Sequence, residues 1–423
     1  MEISTNRTIN GLLKGFRGAK SPEEFMARLS CDVEIVAHVD RATLEDLWPA
    51  IWALAAVLER QLFGHIYIRC GLASSLPAPA ALGSRCLFTN KPESVALSIL
   101  IGTSVSAGGK PALIGDARQG QIAVGNLLSE RSSPPLPIEC FLLAGYLGFS
   151  VLATLADIPA HRIELASSQL VVGYNAALLK QRIADMRGYT CVGLGQLGQA
   201  FLALLFFLRN GNMSGLKFIL IDRDIFEIDN GRTQVLLAEN SQWLNNDKVQ
   251  VISEITRSWG VTDVVARKQE IQWGWNKSVD DPNIALVGLD DFNVRRIVLA
   301  AGFDRLIEAG VGTDLLRPRI SWHAIPGSYK FGRRLFPDAK LQEKPLIVGD
   351  WVEELKQSPG ACGWVRFQDI SATAPCMGIA ASAFALSELG YDITATQGRA
   401  TLWSPCLPIL RETLCESVSQ PNP

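Results

Sequence analysis

The stretch Tyr189–Leu208, YTCVGLGQLGQAFLALLFFL, followed after a short loop by Leu216–Gln234, LKFILIDRDIFEIDNGRTQ, decides how the remaining chain is read. Thr190–Val192 is an apolar strand running into Gly193, Gly195 and Gly198, spaced GxGxxG, and an apolar helix follows. A second strand, Phe218–Ile221, ends on Asp222. Strand, glycine turn, helix and acid-tipped strand make a βαβ unit. Its glycines let backbone N–H groups approach phosphates at a helix N-terminus, and the acid is placed to take ribose hydroxyls. With 36 glycines in the chain, the spacing alone carries little weight. Its place between strand and helix, ahead of an acid, is what makes it a candidate nucleotide site, with a plain tight turn as the alternative.

Dinucleotide enzymes carry a single acid at the tip of the second strand. Here Asp222 is followed by Arg223, Asp224, Ile225, Phe226, Glu227, Ile228, Asp229, Asn230, Gly231, Arg232, Thr233 and Gln234. This run resembles the DxD…NxxRQ motif of the ThiF/MoeB/ubiquitin-activating superfamily, whose members adenylate the C-terminal glycine of a ubiquitin-like or sulfur-carrier protein. Thr233 stands where the family has its arginine, and Arg232 lies one residue earlier. Further on, Trp243–Ile255, WLNNDKVQVISEI, opens a helix, and Lys248 in its Asp-Lys-Val context matches the family lysine that reaches the ATP phosphates. An ordinary lysine in the first turn of a helix is the plainer reading. After the strand Asn283–Leu289, Asp290 matches the aspartate that holds magnesium, which suits a carboxylate at a strand end. Asp291 replaces the usual asparagine, Arg295 is placed to brace the loop, and a helix N-cap is the competing role for this acidic pair. The strands Phe303–Gly312 and Ile320–Ile325 continue the likeness, which covers Tyr189 to about Gly390.

The resemblance implies an α/β fold: a Rossmann-like ThiF-type adenylation domain over residues 166–423, with a crossover loop at about 333–375. A degenerate α/β pseudo-adenylation domain would precede it over residues 1–165. That first half alternates strands and helices but has no glycine fingerprint, so an unrelated α/β accessory domain is the other reading. Family members that proceed to a thioester use a cysteine in the crossover loop. Cys362, in Pro-Gly-Ala-Cys-Gly-Trp, is the expected nucleophile, whereas Cys376, at the start of the helix Met377–Leu389, is expected to be packed.

The site implied is Gly193, Gly195, Gly198, Asp222, Asp224, Asn230 and Lys248 for ATP, and Asp290 for Mg2+ as well as ATP. Arg232, Lys248 and Cys362 would act in catalysis, and Arg7 or Arg17 of the first half would be sources of a further arginine. The partner expected is a ubiquitin-like protein with a C-terminal glycine. A conjugating enzyme would receive the thioester, and a homodimer is compatible with the apolar composition. The combination resembles activators of bacterial ubiquitin-like conjugation operons, some linked to antiphage defence. A sulfur-carrier activator, an NAD-dependent oxidoreductase and a non-catalytic nucleotide-binding module are the alternatives. Residues 390–423 are too few for the small ubiquitin-like domain that often ends the family.

Composition narrows the classes. The chain carries 40 basic and 42 acidic residues, so nothing electrostatic favours nucleic acid or an anionic membrane. Apolar residues reach 48% against 19% charged, which implies large buried surfaces. Nine cysteines include no CxxC pair, so no structural zinc is expected, and their scatter suits a reducing cytoplasm. His38, His65, His161 and His323 are isolated in sequence, His323 as a packed strand residue. No secretory signal is legible at the N-terminus. The uncharged run Cys140–Ala156 falls just under the roughly 20 residues of a membrane span and reads as a buried helix.

Overall fold

The computed structural model describes residues 22–71, 76–89, 94–103, 112–119, 121–124, 128, 133–156, 168–171, 173–237, 241–311, 320–327, 374–391 and 399–403. Two seven-stranded sheets organise these residues. The first comprises β1 (Val33–Val36), β2 (Ile66–Arg69), β3 (Cys86–Phe88), β4 (Leu97–Ile101), β5 (Ala112–Arg118), β6 (Gln121–Val124) and β7 (Ser168–Val171), in the order β3-β2-β1-β4-β5-β6-β7. The second comprises β8 (Gly188–Val192), β9 (Lys217–Asp222), β10 (Asp263–Lys268), β11 (Ile284–Val287), β12 (Arg305–Val311), β13 (Ile320–Pro326) and β14 (Arg399–Trp403), in the order β10-β9-β8-β11-β12-β13-β14.

The two orders are the same. In each sheet the first five strands pair in parallel and the last two join antiparallel. The first half therefore shares its topology with the second although it repeats none of its motifs. One hydrogen bond fixes an equivalence between them: Ala37 N–H donates to Arg69 O as Gly193 N–H donates to Ile221 O. Ala37 thus stands in the place of Gly193, and Cys70 in the place of Asp222. The first copy has neither glycine turn nor acid at its strand tips, and its β2 arginine, Arg69, is instead ion-paired to Glu34 at 3.0 Å.

The helices run α1 (Pro22–Leu29), α2 (Arg41–Gln61), α3 (Pro137–Leu155), α4 (Ala176–Asp185), α5 (Gln196–Leu208), α6 (Lys248–Ser258), α7 (Phe292–Ala300) and α8 (Pro375–Ser387). Asp40 caps α2 by accepting from Thr43 N–H, and Pro49 lies inside the helix and does not end it. Four helices form the layer between the sheets, with α3 on α8, α2 on α3 and α5 on α8, and with α2 also touching α8 and α3 touching α5. Since α2 and α5 follow the first strands of their sheets, and α3 and α8 precede the last, this is the pattern of a two-fold relation within one chain. Gly145 and Gly148 of α3 permit the approach to α8. A Cβ on Gly145 would lie 2.7 Å from the Ala380 Cβ, and one on Gly148 would lie 3.0 Å from the Cys376 Cβ.

One apolar core is continuous across both halves, and a smaller one covers the outer face of the second sheet beneath α7. Among the described helices α3 is long and apolar enough to cross a membrane, yet 83% of its apolar window is buried inside the protein, as expected of the run Cys140–Ala156.

Two expectations need correction. Ser168–Val171 pairs with β6 and closes the first sheet, so the sheets divide between residues 171 and 188, after the expected boundary at 165/166. The helix expected from Trp243 begins at Lys248, because Ser241–Trp243 is a separate 3-10 turn. Strand β10, an edge strand with a mostly half-exposed pattern, carried too weak an apolar alternation to be anticipated.

Candidate functional site

Strand order reverses between β8 and β11, so a crevice opens at the C-terminal ends of these parallel strands, the place where open α/β sheets bind ligands. The three glycines there do different work. Gly193 has φ +82° and turns the chain out of β8, and a Cβ on it would lie 2.9 Å from Gly288 O. Gly195 is the N-cap of α5, and the space where its Cβ would project is open to 4 Å. Gly198 packs the helix onto the strand end, since a Cβ there would lie 2.0 Å from Gly193 O.

Asp222 holds this turn: its carboxylate accepts from Leu194 N–H at 2.6 Å and from Asp224 N–H at 2.9 Å. That uses two of roughly four acceptor sites on the carboxylate. Lys248 is the first residue of α6. Its N–H donates to Asp224 O at 3.1 Å, and its ammonium lies 3.2 Å from Asp224 Oδ2. The lysine side chain is 9% exposed and the aspartate 55%, so a largely buried cation is presented beside a solvated carboxylate at the rim.

Asp290, two residues beyond Gly288, is exposed and makes no hydrogen bond or ion pair within the described residues. Its neighbour Asp291 takes the capping role, accepting from Asn293 N–H at 2.7 Å and Val294 N–H at 3.4 Å. A free carboxylate at a strand end fits Mg2+, which keeps waters and takes few protein ligands. Arg295 braces the loop by donating from Nε to Leu289 O at 2.9 Å, and it is ion-paired with buried Glu308 at 2.9 Å. His323 is packed against the other oxygen of Glu308. Burial pushes the Glu308 carboxyl up, but Arg295 and His323 outweigh it and leave it below its ordinary value.

The structure thus brings together Gly193, Gly195, Gly198, Asp222, Asp224, Lys248 and Asp290. Asn230 and Arg232 belong to the segment that faces the first half. Asn230, 3% exposed, builds a one-turn 3-10 helix by accepting Glu227 N–H on Oδ1 at 3.1 Å. Arg232 donates to Leu62 O at 3.4 Å and lies 4.8 Å from the Phe63 ring centroid, both at the end of α2.

Cys362 and most of the crossover loop, like Arg7, Arg17 and His161, lie outside the described residues. Cys376 is packed as expected: Gln61 Nε2 lies 2.9 Å from its Sγ, and burial pushes its thiol up to about 12.

Gln199 escaped the sequence reading. It is wholly buried and donates to Leu194 O at 3.1 Å while accepting from Leu236 N–H at 3.1 Å. A polar residue within the apolar run QLGQAFLALLFFL was the available signal.

The model of the BilD C-terminal domain matches residues 188–395, from the first residue of β8 to just past α8. The bacterial E1-like protein BilD of Collimonas sp. (strain OK412) is 28% identical over 200 residues, 47% of this chain and 43% of that protein. The match therefore spans less than half of that relative. Among solved structures, E. coli MccB is 19% identical with a TM-score of 0.35, covering 56% of this chain and 64% of its own. E. coli tRNA N6-threonylcarbamoyladenosine dehydratase, TcdA, is 17% identical with a TM-score of 0.25, covering 32% and 56%. Beginning at the strand that carries the glycine turn, residues 188–395 match the BilD C-terminal domain model, and it is over this part that the chain is similar to a bacterial E1-like protein.

Proposed function

We propose that the chain activates a ubiquitin-like protein in two steps, using ATP to adenylate its C-terminal glycine and then taking it as a thioester on Cys362. The observation that carries this reading is the convergence of the Gly193–Gly198 turn, Asp222, the Lys248–Asp224 pair and unpaired Asp290 on one crevice. Backbone N–H groups at the start of α5 would receive phosphate, helped by the helix dipole. The spare acceptor sites of Asp222 would take a ribose hydroxyl. When bound, Mg2+ would neutralise charge on the departing pyrophosphate, with Asp290 as its protein ligand.

In the first step the glycine carboxylate attacks the α-phosphate and pyrophosphate leaves. Lys248, freed from Asp224 by a more negative neighbour, would stabilise the charge that builds on the phosphate oxygens. Arg232 stacks on Phe63, so its part in this scheme is to fix the loop against the first half. In the second step the Cys362 thiolate attacks the acyl carbon, forming the C–S bond as the bond to AMP breaks. Transfer to a conjugating enzyme, and a role in an antiphage operon, complete the proposal.

The test is ATP–pyrophosphate exchange with Mg2+ and small proteins ending in glycine, with non-reducing gels of wild type and Cys362→Ala. Exchange with a thiol-sensitive adduct that vanishes in the variant is the expected result. Exchange without an adduct in either protein favours a sulfur-carrier activator. Binding of ATP with no turnover for any candidate favours a nucleotide-binding module.

A further inference from the structure

A line of buried polar groups runs from the first half into the glycine turn. It starts at Arg60 in the last turn of α2, 2% exposed. Its Nη1 is satisfied locally, by Ala56 O and by Glu59 at 2.9 Å. Its remaining donors cross to the second half: Nε donates to Gln234 O at 2.9 Å and Nη2 to Leu237 O. Burying a guanidinium is costly unless its donors are met, so the first half depends on this second-half segment.

The line continues without a break. The Gln234 side chain accepts from Gln199 Nε2, which also donates to Leu194 O, and Gln199 Oε1 receives Leu236 N–H. Leu194 N–H then donates to Asp222. Gln234 is 2% exposed and Gln199 fully buried, so water does not compete for the link between these two side chains. The planar fork of an arginine meets two carbonyls three residues apart, which a lysine ammonium cannot do with the same geometry.

We propose that Arg60 is a positioning residue for nucleotide binding. It sets the Gln234–Leu237 segment and, through Gln199, the Leu194 turn, so that the half lacking a glycine turn governs affinity in the half that has one. This rests on the reading above that the crevice binds ATP.

The test compares Arg60→Met, Arg60→Lys and Gln199→Met in the full chain by three measurements. These are Mg–ATP affinity by calorimetry, amide hydrogen exchange at Leu194 and Leu236, and urea unfolding. Arg60→Met should weaken ATP binding about tenfold, the worth of roughly one charged hydrogen bond, and speed exchange at both amides. Arg60→Lys should recover part of each effect. Gln199→Met, which keeps Arg60 but cuts the relay one link later, should reproduce the weakening, and it decides the matter if Arg60→Met does not fold. Unchanged ATP affinity and amide protection, with only the urea midpoint lowered, would overturn the proposal and leave Arg60 a strut of the core. If wild type itself fails to bind ATP, the functional reading falls separately. Amide exchange then decides alone: faster exchange at Leu194 in Arg60→Met upholds the relay, and unchanged exchange overturns it.

Discussion

Replacing Gly198 and Gly195 separately by alanine would split the two jobs that the glycine turn performs. At Gly198 the new Cβ would sit 2.0 Å from Gly193 O and 3.0 Å from Gly193 C. Both are backbone atoms of the strand end, so no flexible side chain relieves the contact. Restoring an ordinary separation requires α5 to move by about 1 Å or more, and residues Leu197–Phe207 of that helix are almost all buried. Overpacking of this kind costs about 1–3 kcal/mol and occasionally more. A helix held on several sides places this site at the upper end, roughly 3 kcal/mol. At Gly195, φ is −74° and the Cβ would enter open space. The folding cost there is the loss of a good N-cap residue, about 1 kcal/mol or less. The same Cβ would, however, occupy the approach to the N–H groups at the start of α5. Urea unfolding and Mg–ATP titration of both variants form the assay. Gly198→Ala should lose stability first, whereas Gly195→Ala should keep its unfolding midpoint nearly intact and lose ATP affinity at least tenfold. A Gly198→Ala protein within about 0.5 kcal/mol of wild type would refute the close approach of α5 to Gly193. Equal ATP affinity in Gly195→Ala would refute phosphate binding at this turn.

Lys248→Met should reduce pyrophosphate exchange about a hundredfold while changing stability by less than about 1 kcal/mol, because Asp224 is solvated and remains so. Glu308→Gln should cost about 3 kcal/mol at neutral pH by removing the carboxylate that is ion-paired with the buried Arg295 guanidinium. The sign with pH follows from the lowered Glu308 carboxyl: its contribution is complete above the unfolded value near 4.5 and is lost as pH falls through the folded one. Unfolding of both proteins across pH 7 to 3 should therefore show the gap closing at the acid end, and a constant gap would contradict it. Cys376→Ser should retain exchange and thioester formation. Native Cys376 should also resist alkylation by iodoacetamide at pH 8, read by intact mass and peptide mapping, because it is wholly buried and burial pushes its thiol up to about 12.

The candidate crevice was legible because its parts are local in sequence. Gly193, Gly195, Gly198 and Asp222 fall within one βαβ unit whose order fixes their relative positions. The apolar run of α3 announced a buried helix for the same reason: composition alone says that such a surface must be covered. Lys248 was found through its motif context, although its helix starts later than the apolar pattern suggested. The motif pointed to Asp290 for the metal but left a helix N-cap as the competing role for the acidic pair, since both follow the same strand. The backbone gives the N-cap to Asp291, which accepts from the α7 N–H groups, and leaves Asp290 exposed.

By itself the sequence determined a glycine-turned α/β second half and the residues that line its candidate crevice, because each rests on interactions between near neighbours in the chain. The tertiary structure alone decided the rest. It gave the first half the same strand order with none of the same motifs, since a parallel sheet needs only apolar strands and crossovers. It also turned Arg232 onto Phe63 and set Arg60 on Gln234, 174 positions away. Contacts so distant leave no periodicity in the sequence. They exist because a buried guanidinium must find acceptors, and those acceptors come from the opposite half.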